Sequence, residues 1–143
     1  RDGYGPGDAN GTVDLYVRDL ELEAPVRVTV APSGEPDSRA ATGFPLADGR
    51  TVVFLSAATN LLPGTPFDET RWRLYARDLE AGLTERLDVS ASGEPGNFDV
   101  VSAFYAFDVA GRSVAFASNS TNLVPGDDNG ARDVFVLDVP PWP

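Results

Sequence analysis

Thr121-Asn122-Leu123-Val124-Pro125-Gly126-Asp127-Asp128-Asn129-Gly130-Ala131-Arg132-Asp133-Val134-Phe135-Val136 restates, late in the chain, what earlier stretches have already said. Its opening matches Thr59-Asn60-Leu61-Leu62-Pro63-Gly64, and its loop Pro125-Gly126-Asp127-Asp128-Asn129-Gly130 matches Pro6-Gly7-Asp8-Ala9-Asn10-Gly11. Its closing strand-like run belongs to a series, Tyr16-Val17-Arg18-Asp19-Leu20, Tyr75-Ala76-Arg77-Asp78-Leu79 and Phe135-Val136-Leu137-Asp138-Val139. The offsets are 75 − 16 = 59, 135 − 75 = 60 and 121 − 59 = 62 residues. A period near 60 carried by short β-type runs marks a repeat architecture, in which a residue is first interpreted by its place in the repeat.

Around each repeated loop the strand signals are rich in β-branched and aromatic residues and bounded by Gly, Pro, Asn and Asp. Residues 50–56 and 112–118 are nearly continuous apolar runs after Asp/Ala-Gly-Arg turns, as inner strands covered on both faces require. The Thr-Asn-Leu-x-Pro-Gly loop comes next, then alternating strands at 13–20, 73–79 and 133–139. More polar strands are expected at 25–31 and 84–90, ending in Ser33-Gly34-Glu35-Pro36 and Ser92-Gly93-Glu94-Pro95. A less regular strand near 43–47 and another at 101–109 complete the unit. Labelled a to d from residue 43, the strands run c, d, a, b, c, d, a, b, c.

Composition narrows the chemistry. At 143 residues the chain can bury a core, yet it has no Cys, His or Met, and all 11 basic residues are Arg. Thiolate and imidazole nucleophiles, bases and metal ligands are thereby excluded, and the Ser residues lack a His or Lys base. With 22 acidic residues and a net charge of −11, the chain repels nucleic acid and anionic lipid. No run approaches the ~20 apolar residues of a membrane span. Some pair among so many carboxylates will meet any loose glycosidase distance, and no motif supports one.

Four antiparallel strands per repeat with two apolar faces describe a propeller blade. The chain resembles the TolB-like, WD-repeat-like bacterial β-propeller repeat family, whose units read roughly Gly-Arg-x-Val-Ala-Phe-x-Ser, Thr-Asn-Leu-Val-Pro-Gly-Asp, Asn-Gly-x-x-Asp-Val-Phe-Val and a turn. The matching stretches are 111–118, 121–127, 129–136 and 81–90. The resemblance implies an all-β fold of four-stranded antiparallel blades: a partial blade at 1–42, a full blade at 43–100, a partial blade at 101–139 and a Pro-rich tail at 140–143. It also implies an exported, periplasmic or extracellular setting. Nine strands make about two and a quarter blades, whereas closed propellers use about four to eight. Further blades of the same polypeptide, other subunits of an assembly or another protein partner are therefore expected to cover the ends. The motifs specify the fold and no single activity.

Two loops offer cation chemistry. Asp8, Asn10, Asp14 and Asp127, Asn129, Asp133 place oxygen-bearing side chains at positions 1, 3 and 7, a spacing shared with calcium loops. A third early carboxylate and a downstream Glu are missing, and Asn-Gly also makes a β-turn with no ion, so the spacing leaves Ca²⁺ and a plain turn both open. The middle unit breaks the pattern with Thr65-Pro66-Phe67-Asp68-Glu69-Thr70-Arg71-Trp72. Because residues that break a repeat are better placed for partners than residues that make it, Phe67, Trp72 and the tail's Trp142 are the expected interaction residues. Thr59-Asn60 and Thr121-Asn122 are expected to bond loop backbone, and the Asp of Arg18-Asp19, Arg77-Asp78 and Leu137-Asp138 to hold a turn. The function expected from these features is a non-catalytic interaction or assembly scaffold. A substrate-gating propeller of an enzyme whose catalytic domain lies elsewhere, and a calcium-stabilised cell-surface adhesion module, are the alternatives.

Overall fold

The structure, a computed structural model, describes residues 8–21, 24–63, 71–102, 112–139 and 141–142. Within them the chain is all-β, with three small antiparallel sheets. β1 (Tyr16–Val17) pairs with β2 (Val26–Arg27). β3 (Ala40–Pro45), β4 (Thr51–Ser56), β5 (Arg73–Asp78) and β6 (Thr84–Arg86) form a four-stranded meander in chain order. β7 (Val100–Ser102), β8 (Ser113–Ser118) and β9 (Asp133–Asp138) form the third sheet, with β9 at its edge.

Turn chemistry sets the hairpins. Between β3 and β4 the Asp48 carboxylate accepts the Arg50 and Thr51 amides at 2.9 and 2.8 Å, while Gly49 takes a φ of +66°, which a side chain would disfavour. After β5, Asp78 does the same for the Glu80 and Ala81 amides at 2.9 and 3.2 Å. The repeated Asp is thus a turn cap. Its ion pair runs to Arg50, not to its sequence neighbour Arg77, whose guanidinium donates to Thr84.

Strand geometry sends alternate side chains of β4 to opposite faces, and both faces are covered. Val52 and Phe54 pack with Tyr75, Val28 and Ala31 against the first sheet. Val53 and Leu55 pack with Leu74 and Ala76 against Val114 and Phe116 of the third. Every residue of β4 is buried, and β8 is buried from Val114 to Ser118, as expected of the two inner strands. Phe54 stacks on Tyr75, and Phe116 on Phe135, each at 5.5 Å between ring centroids, so the second and third sheets reuse one aromatic pair at matching register. Full burial of each such ring is worth about 1.5–3 kcal/mol.

The junctions between sheets are clamped by the repeated Thr-Asn. Asn60 accepts the Asp37 amide at 3.0 Å and donates to the Glu35 carbonyl at 2.8 Å, while Thr59 bonds the Asp37 carboxylate. Asn122 accepts the Asn97 amide at 3.0 Å and donates to the Pro95 carbonyl at 2.8 Å, while Thr121 bonds the Asn97 side chain. In each case a loop of one sheet ties down the segment that enters it from the previous sheet.

The strands are shorter than expected at 13–20, 25–31 and 84–90, for a physical reason. Where the β1–β2 ladder stops, Thr29 Oγ1 accepts the Leu15 amide at 3.1 Å; where β5–β6 stops, Asp88 Oδ1 accepts the Leu74 amide at 3.1 Å. Side chains replace the ladder there. β3 and β7 begin at Ala40 and Val100, so the expected boundaries at 42/43 and 100/101 fall inside strands; residues 103–111 lie outside the described set.

Candidate functional site

The acidic loops lie beside strand c of the first and third sheets, and one position of that strand organises all three. It is Asp14 in the first sheet, Arg73 in the second and Asp133 in the third (14 + 59 = 73; 73 + 60 = 133).

In the first sheet, Arg27 lies opposite Tyr16 in register. Its guanidinium reaches Asp14 at 2.7 Å and Glu35 at 2.6 Å, and Thr29 donates to the other Asp14 oxygen at 2.6 Å. The Asp14 side chain is 1% exposed. Carboxylate oxygens of Asp8, Asp14 and Glu35 lie within 4.8 Å of one another, the one such metal-sized cluster among the described residues. The bond to Arg27 holds Glu35 below the usual carboxylate range, and the bond to Glu35 raises Arg27 against the opposing effect of burial. Burial, then the Asp8 charge, raises Tyr16, whose hydroxyl donates to Asp8 at 3.3 Å. Asn10 is occupied as a turn residue: its oxygen accepts the Thr12 amide at 2.9 Å and its amide donates to the Pro36 carbonyl at 3.1 Å. Within this cluster Arg27 pairs with Asp14 and Glu35, while Asp8 Oδ1 is buried with no hydrogen-bond partner.

In the second sheet the charges trade places. Arg86 lies opposite Tyr75, as Arg27 lies opposite Tyr16, but its carboxylate is now Asp88, at 2.8 Å and two residues further along the chain, where the first sheet has Thr29. Arg73 donates to the Gly96 and Phe98 carbonyls at 2.8 Å and reaches Asp88 at 3.5 Å. Burial raises Asp88, opposed by the two arginines, and lowers Arg73, with Arg86 adding to the effect.

The third sheet has the acid and no matching strand d among the described residues. Asn129 accepts the Ala131 amide at 2.7 Å, forming the turn, and its own amide lies 3.2 Å from Asp133. Both carboxylate oxygens of Asp127 are buried with no hydrogen-bond partner. Asp8 has Tyr16; Asp127 is matched with Phe135, which has no hydroxyl. Asp127, Asn129 and Asp133 join Val134, Phe135 and Val136 around a hollow of about 410 Å³ on the open side of this sheet.

The expected interaction residues lie elsewhere. Trp72 is half-buried at the second junction, with the Arg39 guanidinium 5.3 Å from its ring centre and its amide on Asp99 at 2.8 Å. Trp142 packs on its own chain, donating to Thr51 Oγ1 at 2.9 Å. Phe67 lies outside the described residues. Glu35, Arg27, Arg73, Arg86 and Asp88 went unrecognised in the sequence, although the Asp-Arg-Asp alternation at 14, 73 and 133 carried a signal for them.

No family model, curated protein or solved structure matches this chain. Among the described residues no helix is long and apolar enough to cross a membrane.

Proposed function

We propose that this chain is a non-catalytic assembly scaffold of the bacterial β-propeller type, working in the periplasm or at the cell surface, whose third sheet receives a further sheet of the same kind. The observation that carries this reading is a mismatch between equivalent faces. Leu74 and Ala76 of β5 are fully buried beneath the third sheet, whereas their equivalents Val134 and Val136 of β9 are 64% and 70% exposed. Repeat proteins are soluble when each apolar face meets a neighbour or a polar cap, and β9 bears no cap of that kind among the described residues. The exposed face fits a neighbouring sheet from this polypeptide or from another subunit alike.

Light scattering tests this. The chain is expected to associate as concentration rises, and a Val134→Thr, Val136→Thr variant to remain monomeric with unchanged circular dichroism. A wild-type chain that stays monomeric at every concentration, or a variant that associates equally, would refute it.

Calcium stabilisation has support at the first loop, where the Asp8, Asp14 and Glu35 carboxylates converge and Asp8 Oδ1 is buried without a hydrogen-bond partner, and at the third, from the two partnerless oxygens of Asp127. A calcium-dependent rise in melting temperature that Asp8→Asn or Asp127→Asn reduces and the double variant abolishes would uphold it; no calorimetric binding would remove it.

A further inference from the structure

We infer that the open edge of β9 takes an added β-strand carrying Arg-x-Thr, with the Arg opposite Phe135. This rests on the scaffold reading above and specifies the chemistry of what the third sheet receives.

Strand d obeys a rule in both sheets that have it. Its Arg sits opposite the aromatic residue of strand c, Arg27 against Tyr16 and Arg86 against Tyr75. The next residue is apolar and enters the core, Val28 in one sheet and Leu87 in the other. The residue after that supplies a side-chain oxygen to the first free amide of strand c, Thr29 to Leu15 and Asp88 to Leu74. What varies is where the carboxylate stands. With Asp14 on strand c, strand d reads Arg-Val-Thr, and the Thr hydroxyl can donate to that Asp; with Arg73 on strand c, it reads Arg-Leu-Asp. A second acid facing Asp14 would repel it. A Thr facing Arg73 would leave two arginines with no shared acid.

The third sheet has Asp133 on strand c and therefore calls for the first form. Phe135 awaits the Arg, and the amide of Val134 stands where Leu15 and Leu74 find a side-chain oxygen. Asp127 brings two buried carboxylate oxygens that have no hydrogen-bond partner among the described residues. An arginine there would supply planar, charged donors to this acidic end of the edge, and the strand's backbone would pair with β9. Val134 and Val136 lie on the face that a following sheet would then cover.

Two peptides from the chain itself provide the test: residues 25–31, which read Arg-Val-Thr at their centre, and residues 84–90, which read Arg-Leu-Asp. Each is labelled and titrated into the full chain by fluorescence anisotropy. The first is expected to bind and the second to bind about tenfold more weakly, the scale of one charge-assisted contact. Replacing the Arg of the first peptide by Leu should weaken its binding by a similar factor, since the Arg is the charged donor that the edge receives. In the Asp133→Arg variant the preference should invert, because that change recreates the Arg73 environment; its denaturation midpoint establishes that it is folded. Equal binding of the two peptides, no binding of either at millimolar concentration, or an unchanged preference in Asp133→Arg would overturn the inference. So would calcium displacing the first peptide, which would put a metal where the Arg is expected. If neither peptide binds while Val134 and Val136 still govern association, the strand rule falls and the scaffold reading stands.

Discussion

Replacing Asn60 or Asn122 by Ala removes two hydrogen bonds that tie one sheet to the segment entering from the previous one. Each bond contributes about 1 kcal/mol net, less where water can replace the lost partner. Both clamps are partly solvated, so each variant is expected to lose about 1–2 kcal/mol. For a chain of this size that is roughly 3–7 °C in melting temperature. Asn60→Asp sharpens the test. It keeps an acceptor for the Asp37 amide but sets a carboxylate against the Glu35 carbonyl, with the Asp37 carboxylate nearby, so it should cost at least as much as the Ala variant. Since the clamps hold different junctions, the double Ala variant should be additive within about 0.5 kcal/mol. Urea denaturation followed by circular dichroism measures all four. Losses under about 0.3 kcal/mol for both Ala variants, with Asn60→Asp equal to wild type, would refute the clamp, since they fall below the value of even one hydrogen bond.

Phe54→Ala and Phe116→Ala empty the two inter-sheet cores and should each cost about 3–5 kcal/mol in the same assay; a cost near that of a surface change would mean the sheets do not pack on these rings. Gly43→Ala would place a Cβ against Leu15 and 2.9 Å from the Phe54 Cβ, so a loss of about 1–3 kcal/mol is expected, and a neutral result would argue against the close approach of the first and second sheets there. The Asp78 carboxyl, held down to about 2 chiefly by its bond to Arg50, lies below its ordinary value of 3.8. A group whose folded pKa is depressed stabilises above the unfolded value, so this contribution should be complete above the ordinary carboxylate range and lost as pH falls toward about 2. Thermal melts across that range should show a steeper acid loss for wild type than for Asp78→Asn; parallel curves would contradict it.

The strand order and the two inner strands were legible because continuous apolar runs and a fixed repeat are strong signals, and β4 and β8 lie where residues 50–56 and 112–118 placed them. The repeated Asn and Asp were legible as loop and turn residues because their chemistry is local. The ends of strands were less so, since Thr29 and Asp88 close the ladders through side chains, which no propensity signals. The acidic loops were legible only in part. Spacing brought Asp8 to Asp14, but Glu35 and Arg27 join them from across a hairpin, and a seven-residue window cannot see a partner that arrives through strand pairing. Trp142 looked like a free aromatic because its hydrogen-bond partner, Thr51, is far back in the chain.

Amide hydrogen exchange in β5 against β9 tests the open edge most directly. Strand β5 is paired on both sides, whereas β9 is paired among the described residues to β8 alone. The amides of β9 that point away from β8 should exchange far faster than the corresponding amides of β5, and should slow when a strand binds. Protection of β9 equal to that of β5 in the isolated monomeric chain would mean that the third sheet is already closed by this chain itself, and would contradict the account.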